Sequence, residues 1–182
     1  MITEDAIFVG NEKFVPMITQ EQINARLKEL GEELTKEYKD KFPIFIGILN
    51  GSFMFLSDLL RETPINCEVD FFKLSSYGDR KISSGNVKLL KELNADINGR
   101  HVIIVEDIVD SGLSITYIEK LLEEYTPASV KVASLLMKPG SLKYDVKIDY
   151  IGFEIPDKFV IGYGLDYAQK YRNLGSIYVL SE

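Results

Sequence analysis

Residues 102–114, Val-Ile-Ile-Val-Glu-Asp-Ile-Val-Asp-Ser-Gly-Leu-Ser, constrain the fold more than any other stretch of the chain. Four consecutive β-branched residues, Val102 to Val105, suit a short strand buried on both faces, the habit of parallel sheets. Two adjacent carboxylates, Glu106 and Asp107, then break the apolar run, and Asp110 opens a small polar turn. From Leu113 the spacing becomes helical, with Ile115, Ile118, Leu121 and Leu122 on one face. The unit therefore reads strand, acidic edge, small-residue loop, helix.

That order has chemical consequences. In open α/β sheets ligands bind at the carboxyl ends of strands, which is where these polar residues fall. A loop of small residues entering a helix presents backbone N–H groups and a positive dipole end, a ready phosphate site. Carboxylates beside a phosphate would repel it unless a cation or sugar hydroxyls stood between them. A phosphorylated sugar with Mg²⁺ satisfies both halves of the motif. Asp-Ser-Gly alone is an ordinary turn signal, and acidic residues after a strand are common. The weight lies in their coincidence.

At 182 residues the chain suits one domain, spanning 1–182, with enough length to bury a core unaided. The single cysteine, Cys67, excludes an intramolecular disulfide and sits in an apolar pattern, as a small core residue would. The N-terminus lacks the basic start and apolar run of a signal peptide, and no stretch approaches a membrane span. A cytoplasmic location and no membrane partner are expected. The formal charge of −7 argues against general nucleic-acid binding.

Residues 1–17 show no strong period. Thr19 and Gln22 have the form of a capping box, and Ile23, Leu27, Leu30 and Leu34 trace one face of a helix ending near Tyr38. Residues 43–49 form a second doubly buried strand candidate, followed by the turn Asn50-Gly51-Ser52 and a helix over about 53–61. Residues 67–74 alternate as a strand. Residues 75–85, polar and bracketed by glycine, form a loop long enough to be either disordered or functional. Strands follow at 87–93, 129–137 and 149–155. His101, the only histidine, lacks metal-ligating neighbours and is assigned no chemical role. Lys138 at a strand end has the ordinary reading of a snorkelling surface residue. Residues 152–167 read, by composition, as a glycine- and aromatic-rich loop region.

Val-Glu-Asp-Ile-Val-Asp-Ser-Gly-Leu-Ser closely resembles the phosphoribosyl pyrophosphate (PRPP) motif of type I phosphoribosyltransferases, and its wording resembles the hypoxanthine-guanine branch. Gly-Phe-Glu-Ile-Pro-Asp-Lys-Phe-Val-Ile-Gly-Tyr-Gly-Leu-Asp-Tyr at 152–167 is similar to that branch's base-binding hood. The resemblance runs from about Glu4 onward. It implies an α/β fold, with a mostly parallel central sheet flanked by helices and a small C-terminal hood contributed mainly by about 138–182. It implies transfer of the 5-phosphoribosyl group from PRPP to N9 of hypoxanthine or guanine, giving IMP or GMP and pyrophosphate, with Mg²⁺ as cofactor.

By position, the resemblance gives Glu106 and Asp107 the ribose hydroxyls and metal. Asp110, Ser111, Gly112, Leu113 and Ser114 take the 5-phosphate, and Asp110 is the candidate acid/base at purine N7. Asn50 and Gly51 belong to the pyrophosphate loop, where Asn50 departs from the family's usual Lys. Arg172 would pair with pyrophosphate through its fixed fork of donors. Lys138 would donate to the purine 6-oxo group, Phe159 would stack on the ring, and Val160 and Asp166 would read its edge through their backbones. The Asp166 side chain would also help hold a second metal through water. Ser76 and Tyr77 would start a lid. A homodimer or homotetramer is implied as well. Xanthine differs from guanine only at position 2, and the sequence leaves that alternative open.

Overall fold

The structure, a computed structural model, describes residues 5–77, 86–91 and 93–181. Its strands are β1 (Ile7–Val9), β2 (Glu12–Ile18), β3 (Ile44–Leu49), β4 (Glu68–Tyr77), β5 (Asn86–Lys91), β6 (His101–Val109), β7 (Ser129–Met137), β8 (Tyr150–Glu154), β9 (Val160–Ile161) and β10 (Ile177–Leu180). Three α-helices, α1 (Gln20–Tyr38), α2 (Phe53–Arg61) and α3 (Leu113–Leu122), alternate with them.

The main sheet has the order β5-β4-β3-β6-β7-β8. Only β5 runs antiparallel to its neighbour. Its centre is apolar on both faces for the reason the sequence suggested. Ile103 and Val105 point to the side packed by Leu27, Leu34, Phe55 and Leu59 of α1 and α2. Val102 and Ile104 point to the side packed by Ile115 and Ile118 of α3. Period-two alternation thus feeds two helical layers from one strand. The N-terminus of α1 closes with the expected reciprocal cap, Gln22 N–H to Thr19 Oγ1 at 3.3 Å and Thr19 N–H to Gln22 Oε1 at 2.8 Å.

One difference from the sequence reading matters for the site. The central strand does not stop at Glu106 but continues through both carboxylates to Val109. Pairing with β3 ends at Gly47↔Val105, whereas pairing with β7 runs on to Val109↔Met137. Glu106 and Asp107 therefore lie just beyond the last β3 pairing, with a strand neighbour on one side only. On the other side stands the loop after β3.

A second, antiparallel sheet has the order β1-β2-β10-β9. It joins the chain's beginning to its end through β2–β10 pairs such as Phe14↔Leu180 and Ile18↔Ile177. Residues 5–18, without a clear period in the sequence, thus supply half of this small sheet. Strand β8, within the stretch assigned to the hood, belongs to the main sheet. β4 runs three residues past the predicted end at 74, placing Ser76 and Tyr77 opposite Val87 and Asn86. The rest of the expected lid, 78–85, lies outside the described residues.

Candidate functional site

The site forms where β3, β4 and β6 end. A cavity of about 540 Å³ is lined by Asn50 and Gly51 from the loop after β3, Lys73 of β4, and Glu106 and Asp107 of β6. Ser111, Leu113 and Ser114 at the start of α3 close one side, and Asp166, Gln169 and Arg172 another. Nine residues singled out in the sequence share this one space, although they come from segments more than a hundred residues apart.

Its acidic wall is electrostatically unusual. Glu106 is buried, and its Oε2 has no hydrogen-bond partner. Burial, followed by the neighbouring Asp107 charge, pushes the Glu106 carboxyl well above the ordinary range. Asp107 is raised by burial to about 6, against the opposing pull of backbone amides and the Arg172 guanidinium. Two adjacent carboxyls with an orphaned oxygen form a hard-oxygen donor set suited to a divalent cation. Mg²⁺ in particular uses one or two carboxylates and completes its shell with water and substrate phosphates. Among the described residues no cluster of three or more potential metal-ligating side chains is present. Asp166 instead lies across the cavity, its Oδ1 2.8 Å from Arg172 Nη2.

The loop after β6 has the form expected of an anion cradle. Gly112 adopts φ 85°, a left-handed conformation that favours glycine, and caps α3. The Ser111 carbonyl accepts from the amides of Lys143 and Tyr144 at 3.0 and 3.2 Å, which fixes the loop from behind. Ser111 Oγ accepts from the Leu113 N–H at 3.3 Å. The amides of Ser114 and Ile115, also in the first turn, lack intrahelical acceptors and remain available as donors.

On the opposite wall, Gly51 packs against Asp107 so closely that a Cβ there would overlap the carboxylate. Gly164 in turn packs on the Gly51 carbonyl. Arg172 donates to the Gly164 carbonyl at 2.7 Å and to Gln169 Oε1 at 3.3 Å, besides its pairing with Asp166. The cavity's arginine is thus held in place by the same segment that covers the loop after β3.

Lys138 is not the surface residue its position would ordinarily make it. Only 7% of it is exposed, and its Nζ lies 3.3 Å from Asp110 Oδ2 and 3.2 Å from Asp157 Oδ1. Phe159 is 47% exposed and stands at the mouth of a second cavity of about 470 Å³, shared with Asp166, Tyr167 and Gln169. Its ring meets Phe14 and Tyr167 edge-on at 6.2 and 5.7 Å. Val160 lies buried in β9, paired with Val179.

Lys73, Asp157, Gln169 and Tyr167 were missed by sequence reasoning. Lys73 is a charged residue on a strand, indistinguishable in sequence from a solvated one. Its pairing opposite Leu49 is what brings it to the cavity.

Comparison with known proteins agrees with this geometry. Residues 17–168 match the family model described as the phosphoribosyl transferase domain. The chain is 48% identical over 164 residues to the hypoxanthine-guanine phosphoribosyltransferase of Bacillus subtilis, covering 90% of this chain and 91% of that protein. It is 45% identical over 171 residues to the hypoxanthine phosphoribosyltransferase of Escherichia coli, covering 91% and 96%. Among solved structures, a hypoxanthine phosphoribosyltransferase from Staphylococcus aureus superposes with a TM-score of 0.87 at 41% identity, covering 91% of this chain and 90% of that one. With its central motif, its sheet order and these relatives in agreement, the chain belongs to the phosphoribosyltransferase family.

Proposed function

We propose that the protein is a purine-salvage hypoxanthine-guanine phosphoribosyltransferase that moves the 5-phosphoribosyl group of PRPP to N9 of hypoxanthine or guanine. The observation that carries this reading is the convergence, in one cavity, of a carboxylate pair, an amide-rich phosphate loop and a positioned arginine. A lysine–aspartate pair joined to the same loop adds the means to handle an oxopurine.

In the reaction the bond from ribose C1′ to pyrophosphate oxygen breaks, the C1′–N9 bond forms, and the purine loses one proton. Amides and hydroxyls of Asp110 to Ser114 hold the 5-phosphate, while Glu106 and Asp107 orient the ribose hydroxyls. Asp110 accepts the proton at N7. Lys138 donates to the 6-oxo oxygen, a preference that disfavours the amino group of adenine. Phe159 stacks on the ring, and the backbones of Val160 and Asp166 read its edge. Arg172 and the backbone of Asn50 and Gly51 take the departing pyrophosphate, with Lys73 adding positive charge. Glu106 and Asp107 would hold Mg²⁺, with Asp166 assisting, and the ion would neutralise charge on the leaving group. Ser76 and Tyr77 belong, in this reading, to the start of a lid.

Self-association as a homodimer or homotetramer and a cytoplasmic location belong to the same reading. Among the described residues no helix is long and apolar enough to cross a membrane.

Incubation with PRPP, Mg²⁺ and hypoxanthine, followed by ³¹P NMR, tests the proposal. Signals of IMP and pyrophosphate are expected to replace those of PRPP. PRPP that stays intact with hypoxanthine and with guanine would refute it.

A further inference from the structure

Lys138 lies in a nearly closed environment, 7% exposed, and two carboxylates face its Nζ. An ammonium group has three N–H donors. Asp110 takes one at 3.3 Å and Asp157 another at 3.2 Å, which leaves one for an acceptor on a ligand. In the proposed reaction these two carboxylates have different duties. Asp110 serves purine N7 and takes up its proton, so its hold on Lys138 weakens as the reaction proceeds. Asp157 has no such second task.

We propose that Asp157 is a positioning residue for purine recognition: it anchors the Lys138 ammonium so that one N–H stays aimed at the 6-oxo oxygen while Asp110 is engaged with N7. The inference rests on the function proposed above and adds to it a residue that touches no reacting atom. Its place in the chain supports the assignment. Asp157 lies in the turn after β8, where the Lys158 N–H donates to the Pro156 carbonyl at 2.8 Å, two residues before Phe159. The backbone leading into that turn is tied to the Lys138 strand, because the Ile155 N–H donates to the Met137 carbonyl at 2.8 Å. One short turn therefore locates both the stacking ring and the anchor of the edge donor. The plane of the purine and the position of its oxygen are set together.

The Asp157 side chain is 71% exposed, whereas that of Lys138 is 9% exposed. Asp157→Asn removes only the charge of the exposed partner, and Asp110 still faces the buried ammonium, so the change affects ligand placement more than the fold. That separation makes the role testable.

Steady-state kinetics of wild type, Asp157→Asn and Asp157→Glu, with hypoxanthine and PRPP varied in turn, test it, alongside thermal unfolding. Asp157→Asn keeps an acceptor oxygen but loses the charge, and is expected to raise KM for hypoxanthine about tenfold, the difference between a charge-assisted and a neutral hydrogen bond. KM for PRPP and the melting temperature should stay at wild-type values, and Asp157→Glu should recover most of the purine affinity. An unchanged KM for hypoxanthine in Asp157→Asn, with active wild type, overturns the anchoring role alone. Equal rises in both KM values, or a lowered melting temperature without a purine-selective effect, assign Asp157 to the fold and also overturn it. A wild type inactive with every purine overturns the parent reading and this inference with it.

Discussion

Lys138 Nζ and Asp110 Oδ2 lie 3.3 Å apart, so the candidate donor to the purine oxygen and the candidate base at N7 neutralise each other across the end of the central strand. In the proposed reaction this contact couples recognition to proton transfer. Asp110→Asn keeps the size and a hydrogen-bonding oxygen but removes the basic carboxylate. Turnover is expected to fall by about a hundredfold or more, the usual scale for a lost general base, while PRPP affinity is kept. Single-turnover kinetics and PRPP titration by calorimetry measure the two separately. Wild-type turnover would remove Asp110 from the chemistry.

Glu106 and Asp107 set function against stability. Two neighbouring carboxyls, one of them with an unsatisfied buried oxygen, cost folding energy that a bound cation or ribose hydroxyls would offset. Glu106→Gln and Asp107→Asn are therefore expected to raise the melting temperature of the metal-free protein. Both should weaken Mg²⁺-dependent PRPP binding by at least about tenfold. Differential scanning fluorimetry with calorimetric titration checks both signs at once. Variants that melt lower and bind PRPP normally would contradict the assignment.

Gly51 marks the tightest contact in the cavity wall. Any side chain there meets the Asp107 carboxylate, and Gly164 crowds the other side of the loop. Gly51→Ala should raise KM for PRPP more than KM for the purine, since the pyrophosphate loop moves and the base pocket does not. A uniform loss of stability with unchanged kinetics would place the contact in folding only.

Much of the fold was legible because its determinants are local or periodic. β3, β6 and β7 announce themselves as apolar runs, and α1 by a capping box and a single apolar face. Glu106 and Asp107 hid the end of β6, because carboxylates normally terminate an apolar strand. Here the neighbouring β7 continues the ladder beyond them. β1, β2 and β10 escaped notice for a different reason. Their burial is mixed, and the pairing that joins β2 to β10 spans more than 150 residues, as in Phe14↔Leu180. The site shows the same division. Residues 106–114 form a contiguous motif, whereas Lys73 and Asp157 gain meaning only from what stands opposite them.

Asp70 offers a pH test independent of the chemistry. Burial raises its carboxyl, but hydrogen bonds from Lys91 and the amides of Ala95, Phe71 and Asn94 more than reverse this and bring it down to about 2. The folded value lies below the unfolded one near 4, so the unfolded chain binds more protons between pH 4 and 2. The contribution, about 2 kcal/mol, is fully present above pH 4 and is lost as the pH falls toward 2. Urea unfolding from pH 6 to 3 should show a decline that is smaller in Asp70→Asn, which also starts from a lower stability at pH 6. Parallel curves for the two proteins would assign the acid sensitivity elsewhere.

The most direct measurement is steady-state turnover with PRPP and Mg²⁺, offering hypoxanthine, guanine, xanthine and adenine separately. Lys138 as a 6-oxo donor requires turnover of hypoxanthine and guanine with adenine inert, and the xanthine rate fixes specificity at position 2. Turnover of adenine at a rate comparable to hypoxanthine, or binding of PRPP with no purine consumed, would contradict the central claim.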